Sequence, residues 1–532
     1  MYDYVIVGGG SAGCAMAARL SELPDAKVLL LESGPSDTDR YIHMPVGFFK
    51  IMSGPLTWGY ATSPKSFEGR SMVFPQARVL GGGSSINAMV FTRGHPLDYD
   101  AWAAEEGCEG WSFADILPYF RRSEDNERLA DAYHGTDGPL GVSDPISPHP
   151  LSRAFVRAAQ EAGMPYNPDF NGAKQEGCGL YQTTTRGGRR CSAAVGYLRP
   201  AMKRPNLDVR SDCHATRIIV EGNRAVGVEY RRHGREETVR AESEVIVCSG
   251  AVGSPRLLLL SGIGPADELS AVGVKPVHDL PGVGRNLQDH IDVYSIHQLN
   301  GPYSYDRHTR PHRMLWSWLQ YRTFGNGPVT SNLAEAGGFW WADGDQAHPD
   351  IQFHFLPGAG IEAGVPPVNG FGCTINSCHL RPRSRGWVKL RSADPMAPPE
   401  VDPNYWAEDY DLECSLRGFE MTREIAGQPA LQRFITREHL PGTEARTREQ
   451  LRAYARRFGK TDYHPAGSCK MGVDEMAVVD PQCRVRGIDG LRVADSSIMP
   501  RLVSSNTNAP SIMIGEKAAD LVKGNRAAPL VA

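Results

Sequence analysis

A chain of 532 residues is longer than one hydrophobic core usually fills, so two domains are expected. Hydrophobic residues at 41% and charged residues at 22% describe an ordinary globular protein, and a net charge of −4 gives no case for nucleic acid or an anionic membrane. No apolar run approaches the ~20 residues of a membrane helix, a strand pattern beginning at Tyr4 leaves no room for a signal peptide, and the 11 cysteines form no Cys-x-x-Cys pair, so a cytoplasmic protein with reduced, buried thiols is expected.

In chain order, YDYVIVGGG (2–10) is a short apolar run ending in glycines, and 11–22 follows with Ala12, Ala15, Met16 and Leu20 at helical spacing. AKVLLLESG (26–34) is a second apolar strand ending in Glu32, and its continuous pattern suits a parallel strand covered on both faces. Residues from about 40 to 140, rich in Gly, Pro and aromatics, predict long loops laid over a core. Turn signals at Gly222-Asn223 and His233-Gly234 predict an antiparallel meander over 206–238, followed by a buried strand at 244–248. Residues from about 291 to 455 carry tryptophans and proline-rich turns with little strand–helix alternation, which predicts a second domain of α+β type. The last segment returns to short strands and closes on an amphipathic helix over 511–522.

Gly8-x-Gly10-x-x-Gly13 lies between the first strand and helix, with Glu32 ending the next strand. Gly8 permits the tight turn, Gly10 lets backbone approach a pyrophosphate, and Gly13 allows close helix–strand packing. The helix N-terminus offers N–H groups and a positive dipole end to phosphates, and Glu32 can accept from a ribose diol. With later segments returning to the same domain, FAD fits better than NAD. Two more glycine-rich segments, RVLGGGSSINAMVFTRG (78–94) and EVIVCSGAVGSPRLLLLSGIGP (244–265), support a large buried cofactor. Near the end, TDYHPAGSCKMG (461–472) holds His464 in a Pro-Ala-Gly bend. It reads as a metal ligand, a packed residue or a base; Cys469 and Met471 suggest copper, but the local sequence offers no further ligands, and no metal is expected.

These segments resemble the glucose–methanol–choline oxidoreductase family. DYVIVGGGSAG is similar to its FAD fingerprint, RVLGGGSSINAMVFTRG and GAVGSPRLLLLSGIGP to its two signatures, and PGVGRNLQDH and GLRVADSSIMP…NTNAPSIMIGEKAAD to further segments, in order along nearly the whole chain. The resemblance implies a discontinuous α/β FAD-binding Rossmann-like domain (1–147, 188–290, 456–532) and an α+β substrate-binding domain with an antiparallel sheet (148–187, 291–455). It implies oxidation of an alcohol to a carbonyl by hydride transfer to flavin N5, with His464 as base and Asn508 as second active-site residue. FAD contacts map to Gly8, Gly10, Gly13, Glu32, Gly82, Ser84, Asn87 and Asp495. Ile86 stands where some members carry a flavin-linking histidine, which implies non-covalent FAD. Choline-handling members carry a glutamate where this chain has Asp292. The expected partners are a small alcohol, aromatic or another primary alcohol, and oxygen or another electron acceptor; a choline or polyether alcohol, a non-redox lyase reaction and a homo-oligomer stay open.

Overall fold

The computed structural model describes residues 1–67, 69–361, 365–366 and 368–525. Four strands set the frame of the first sheet: Leu207–Arg210, Val28–Leu31, Tyr2–Val7 and the last third of Arg235–Val247 run parallel in that spatial order, and Leu491–Val493 adds a further parallel strand. Register pairs Tyr4 with Val28 and Val7 with Leu31. Val5, Ile6, Leu29 and Leu30 are fully buried, as continuous apolar runs demand when helices cover both faces. Burying each such side chain contributes about 1.5–3 kcal/mol.

The meander differs from the expected one. Leu207–Arg210 is not its first strand but the edge of the parallel sheet, and the meander proper is Cys213–Glu221, Arg224–Arg232 and the start of Arg235–Val247. That last strand is one 13-residue element. Its first half pairs antiparallel and its second half passes into the parallel core, so the expected break before 244 is absent. Residues 40–140 also hold more regular structure than their composition suggests: helices Pro96–Ala104 and Phe113–Ser123 each begin at a capping box, His95 with Asp98 and Ser112 with Asp115. The closing helix spans Asn508–Lys523.

The second sheet is antiparallel, in the order Ile435–Leu440, Ile291–Leu299, Gly372–His379, Ile351–Leu356, Ala336–Trp340 and Gly177–Leu180, with Lys460–Thr461 pairing on Ile291–Asp292. Its strands Ile351–Leu356 and Gly372–His379 are buried along their whole length. Helix Asp409–Ala426 and helix Pro150–Glu161 cover one face, burying Phe155, Met421 and Ile425 with Phe353, Phe355 and Ile375 of the sheet. The same strand Ile351–Leu356 presents Gln352 and His354, two residues apart and on one side, toward the first sheet. No helix among the described residues is long and apolar enough to cross a membrane. All 11 cysteines are buried and free.

Candidate active site

The carboxyl ends of the parallel strands open onto an elongated cavity with about 1860 Å³ of empty space, its mouth included. One end is a cradle of backbone. Gly8 adopts φ +106°, where a side chain is strained, and a Cβ on Gly13 would sit 1.9 Å from the Gly8 carbonyl oxygen. Those two glycines are dictated by the protein itself. Gly10 is not: a Cβ there would meet no protein atom closer than 3.9 Å, and the residue faces the cavity. Gly82 has φ +54° and a Cβ on it would meet Gly10 Cα at 2.5 Å, so the second loop can approach Gly10 only with a glycine at 82.

Helix Ser11–Leu20 and helix Asn508–Lys523 both point their N-termini into this cradle, and neither receives a side-chain cap. Such an end is a ready anion site. A third helix, Gly250–Leu260, already holds a carboxylate: Asp495 accepts from Gly250 N at 2.9 Å, from the Ser254 hydroxyl at 2.5 Å and from Ser497 N at 2.7 Å. Glu32 accepts from Gly9 N (2.8 Å) and Gly34 N (2.7 Å), and burial pushes its carboxyl up to about 7 against those bonds. A carboxylate offers about four lone-pair sites, so acceptor capacity toward a ribose diol is left. Open helix ends, a glycine wall and a ribose-ready carboxylate fit an FAD. Gly8, Gly10, Glu32, Gly82, Asn87 and Asp495 line the cavity; Gly13 and Ser84 lie off it. The Ser84 hydroxyl donates to Gly81 O and accepts from Ala193 N, tying its loop together.

The other end carries His464. The left-handed Tyr463 (φ +68°) turns the chain, strain of the kind that accumulates at functional sites. His464 N donates to Asp289 Oδ1 at 2.8 Å, and Asp289 also accepts from the Thr461 and Tyr405 hydroxyls; burial pushes this carboxyl up to about 7. The imidazole tautomer follows from its neighbours. His290 Nε2 lies 3.1 Å from the Leu380 carbonyl, which can only accept, so His290 carries its proton there and its Nδ1 is bare. That bare nitrogen is 3.1 Å from His464 Nδ1, which therefore donates, with Asp462 Oδ2 a second acceptor 3.3 Å away. His464 Nε2 is left with a lone pair beside the cavity. Burial, then His290, His354 and Lys460, push the His464 imidazole well below the ordinary histidine range, and burial pushes His290 down to about 3.

Asn506, not Asn508, faces that lone pair. Asn506 Nδ2 is 3.0 Å from His464 Nε2, and its Oδ1 accepts from the Thr92 hydroxyl (2.9 Å) and from Gln352 Nε2 (3.0 Å). These two donors fix the amide so that its N–H groups point at the imidazole. Asn508, expected as second active-site residue, is the first residue of the closing helix; it lines the same cavity and accepts from the Ser11 hydroxyl at 2.8 Å, beside the glycine cradle. The two asparagines lie two positions apart across a helix start, so the backbone turn sends them in different directions. Asp289 and His290 end the PGVGRNLQDH segment and Thr92 lies in RVLGGGSSINAMVFTRG, but no spacing along the chain ties them, or Gln352, to His464; only the fold brings them together. Trp58 lines the cavity, whereas Trp316 is exposed and Phe355 packs in the second core. Cys469 and Met471 are fully buried in the first core.

Family models described as GMC oxidoreductase match residues 2–292 and 382–515. The chain is 44% identical over 529 residues to a Pseudomonas putida protein named alcohol dehydrogenase (acceptor), covering 98% of this chain and 96% of that one. It is 43% identical over 537 residues to a Homo sapiens protein named choline dehydrogenase, mitochondrial, covering 99% and 90%. Among solved structures, pyridoxine 4-oxidase from Mesorbium loti superposes with a TM-score of 0.89 at 31% identity, covering 99% of this chain and 100% of that one. A fungal aryl-alcohol oxidase superposes with a TM-score of 0.85 at 25% identity, covering 98% of each.

Proposed function

The chain belongs to the glucose–methanol–choline oxidoreductase family of FAD-dependent enzymes acting on CH–OH donors, and from that premise we propose that it oxidises a neutral primary alcohol, with His464 Nε2 taking the hydroxyl proton and the Asn506 amide holding the oxygen. The lone pair at His464 Nε2, fixed by the His290–Leu380 relay, is the observation that carries this reading. Loss of hydride from a carbinol carbon requires that the hydroxyl proton leave with it or before it, and a base within hydrogen-bond reach does this. His464 is neutral across the physiological range because its protonated form is disfavoured by burial. The Asn506 N–H groups donate to the oxygen as negative charge develops there, and they are held in place before substrate arrives by Thr92 and Gln352. A bound flavin supplies the two-electron acceptor.

Gly8, Gly10, Glu32, Gly82, Asn87, Asp495 and Asn508 are the residues we assign to FAD, with Ile86 leaving the cofactor without a covalent link. Phe48, Met52, Val90, Ala334 and Tyr463 line the cavity toward His464, an apolar wall suited to an aromatic or aliphatic alcohol. Asp292 is fully buried, and Lys460 Nζ donates to it at 2.5 Å, so its charge is already matched and is not offered to a cationic head group. The relatives named choline dehydrogenase make a quaternary-ammonium alcohol the second reading. Anaerobic addition of benzyl alcohol should bleach the flavin band while choline leaves it unchanged; bleaching by choline alone would reverse the order of the two readings. His464→Ala should slow flavin reduction by about 10²–10⁴-fold with FAD retained, and near wild-type reduction would remove the base assignment.

A further inference from the structure

Helix Pro311–Phe324 stands apart from the active site and from both cores. Only Ser317 of its fourteen residues is buried. Trp316 is 71% exposed, Phe324 73% and Leu315 57%, and Met314, Trp318 and Leu319 are exposed beside them. Isolated exposed apolar residues are ordinary, but a contiguous group with two tryptophans is an interaction surface. After Asp306, the charge along this stretch of chain has one sign. From Arg307 to Ala334 the sequence contains no carboxylate, while it contains Arg307, Arg310, Arg313 and Arg322 and two histidines. None of these four guanidiniums forms a salt bridge among the described residues.

We infer that this helix docks the protein on an anionic lipid surface. Exposed aromatic and aliphatic side chains interleaved with unpaired arginines are the composition that seats a helix in the headgroup layer, with tryptophan at the boundary and arginine reaching phosphate. The alternative occupant, a second copy in a two-fold contact, would place this acid-free stretch against itself with no carboxylate to match it. The location gives docking a use. The helix packs on Pro328–Thr330, which in turn touches Pro45–Gly47, the segment leading directly into Phe48 and Met52 of the cavity wall. A docked protein therefore presents this side of its cavity to the membrane surface, where apolar alcohols concentrate. The modest overall charge does not oppose this, because the cationic stretch is local and screening limits the rest to about 8–10 Å.

The test is flotation of the FAD-loaded full-length protein with vesicles of phosphatidylcholine alone or mixed with phosphatidylglycerol, alongside light scattering of the protein without lipid. The mixed vesicles should carry the protein upward and the neutral ones should carry much less. A variant with Leu315→Ser, Trp316→Ser and Trp318→Ser should bind at least about tenfold more weakly. One with Arg310→Ser, Arg313→Ser and Arg322→Ser should lose about a hundredfold on the anionic vesicles. Both should keep wild-type FAD content and flavin bleaching in solution, since no altered side chain lines the cavity. Protein that stays unbound with both vesicle types would overturn the proposal, as would equal binding to both. A dimer in solution that the apolar variant splits would overturn it too, by naming a second copy as the occupant.

Discussion

Asn506→Asp separates the two roles assigned to this side chain. The aspartate keeps an oxygen for the Thr92 hydroxyl and for Gln352 Nε2, so its position is held by the same two bonds. It loses the N–H groups that face the imidazole at 3.0 Å and places a carboxylate there instead. Removing one preorganised donor to a developing oxyanion costs about 10²–10³ in rate, or about 2.7–4 kcal/mol. The new charge favours protonated His464, and an opposite charge within hydrogen-bond distance raises a pKa by about 1–3 units. In the wild type the His464 imidazole lies below its ordinary value, so the rate, which needs the free base, rises through an acid limb below pH about 6.5 and then stays flat. In Asn506→Asp that limb moves upward, and the rate falls at a pH where wild type is still at its plateau. Stopped-flow flavin reduction against pH under anaerobic conditions measures both effects, with Asn506→Ala as the control that loses rate without the upward shift. Near wild-type rates, or a limb that moves down, would refute the geometry proposed for the pair.

Gly10→Ala should fold, purify with little flavin and melt at the Tm of flavin-stripped wild type, because its Cβ meets open cavity, whereas Gly13→Ala should melt below that reference because of the 1.9 Å contact with Gly8 O; flavin-to-protein ratio and thermal melts distinguish the two. Gln352→Leu should retain FAD and lose about tenfold in the rate of flavin reduction, since Asn506 keeps one of its two anchors. Arg93→Met should cost about 3–5 kcal/mol in denaturant unfolding, because Arg93 and Glu124 form a fully buried ion pair and the substitution strands the carboxylate. A loss below about 1 kcal/mol would mean that His134, 3.0 Å from Glu124, carries the charge balance alone. Acid precipitation should release FAD to the supernatant, and flavin remaining on the pellet would contradict the role given to Ile86.

Chemistry that depends on neighbours along the chain was legible without coordinates. The positive φ of Gly8, the helix–strand approach at Gly13 and the run Val28–Leu31 are consequences of which side chains are absent or apolar at fixed spacing, and they specify a dinucleotide fold by themselves. The capping box of Ser112 and Asp115 was equally local, though the surrounding glycines and prolines hid it. The aim of side chains was not local. Whether Asn506 or Asn508 meets His464 depends on where helix Asn508–Lys523 begins, and that is decided by packing against Ser11–Leu20. The tautomer of His464 depends on a histidine 174 positions earlier and a carbonyl 90 positions beyond that. Spacing along a chain fixes backbone conformations and faces, because those arise within a few residues. Proton placement at His464 required the tertiary structure, because only burial brings Leu380, His290, His464 and Asn506 into one line of hydrogen bonds.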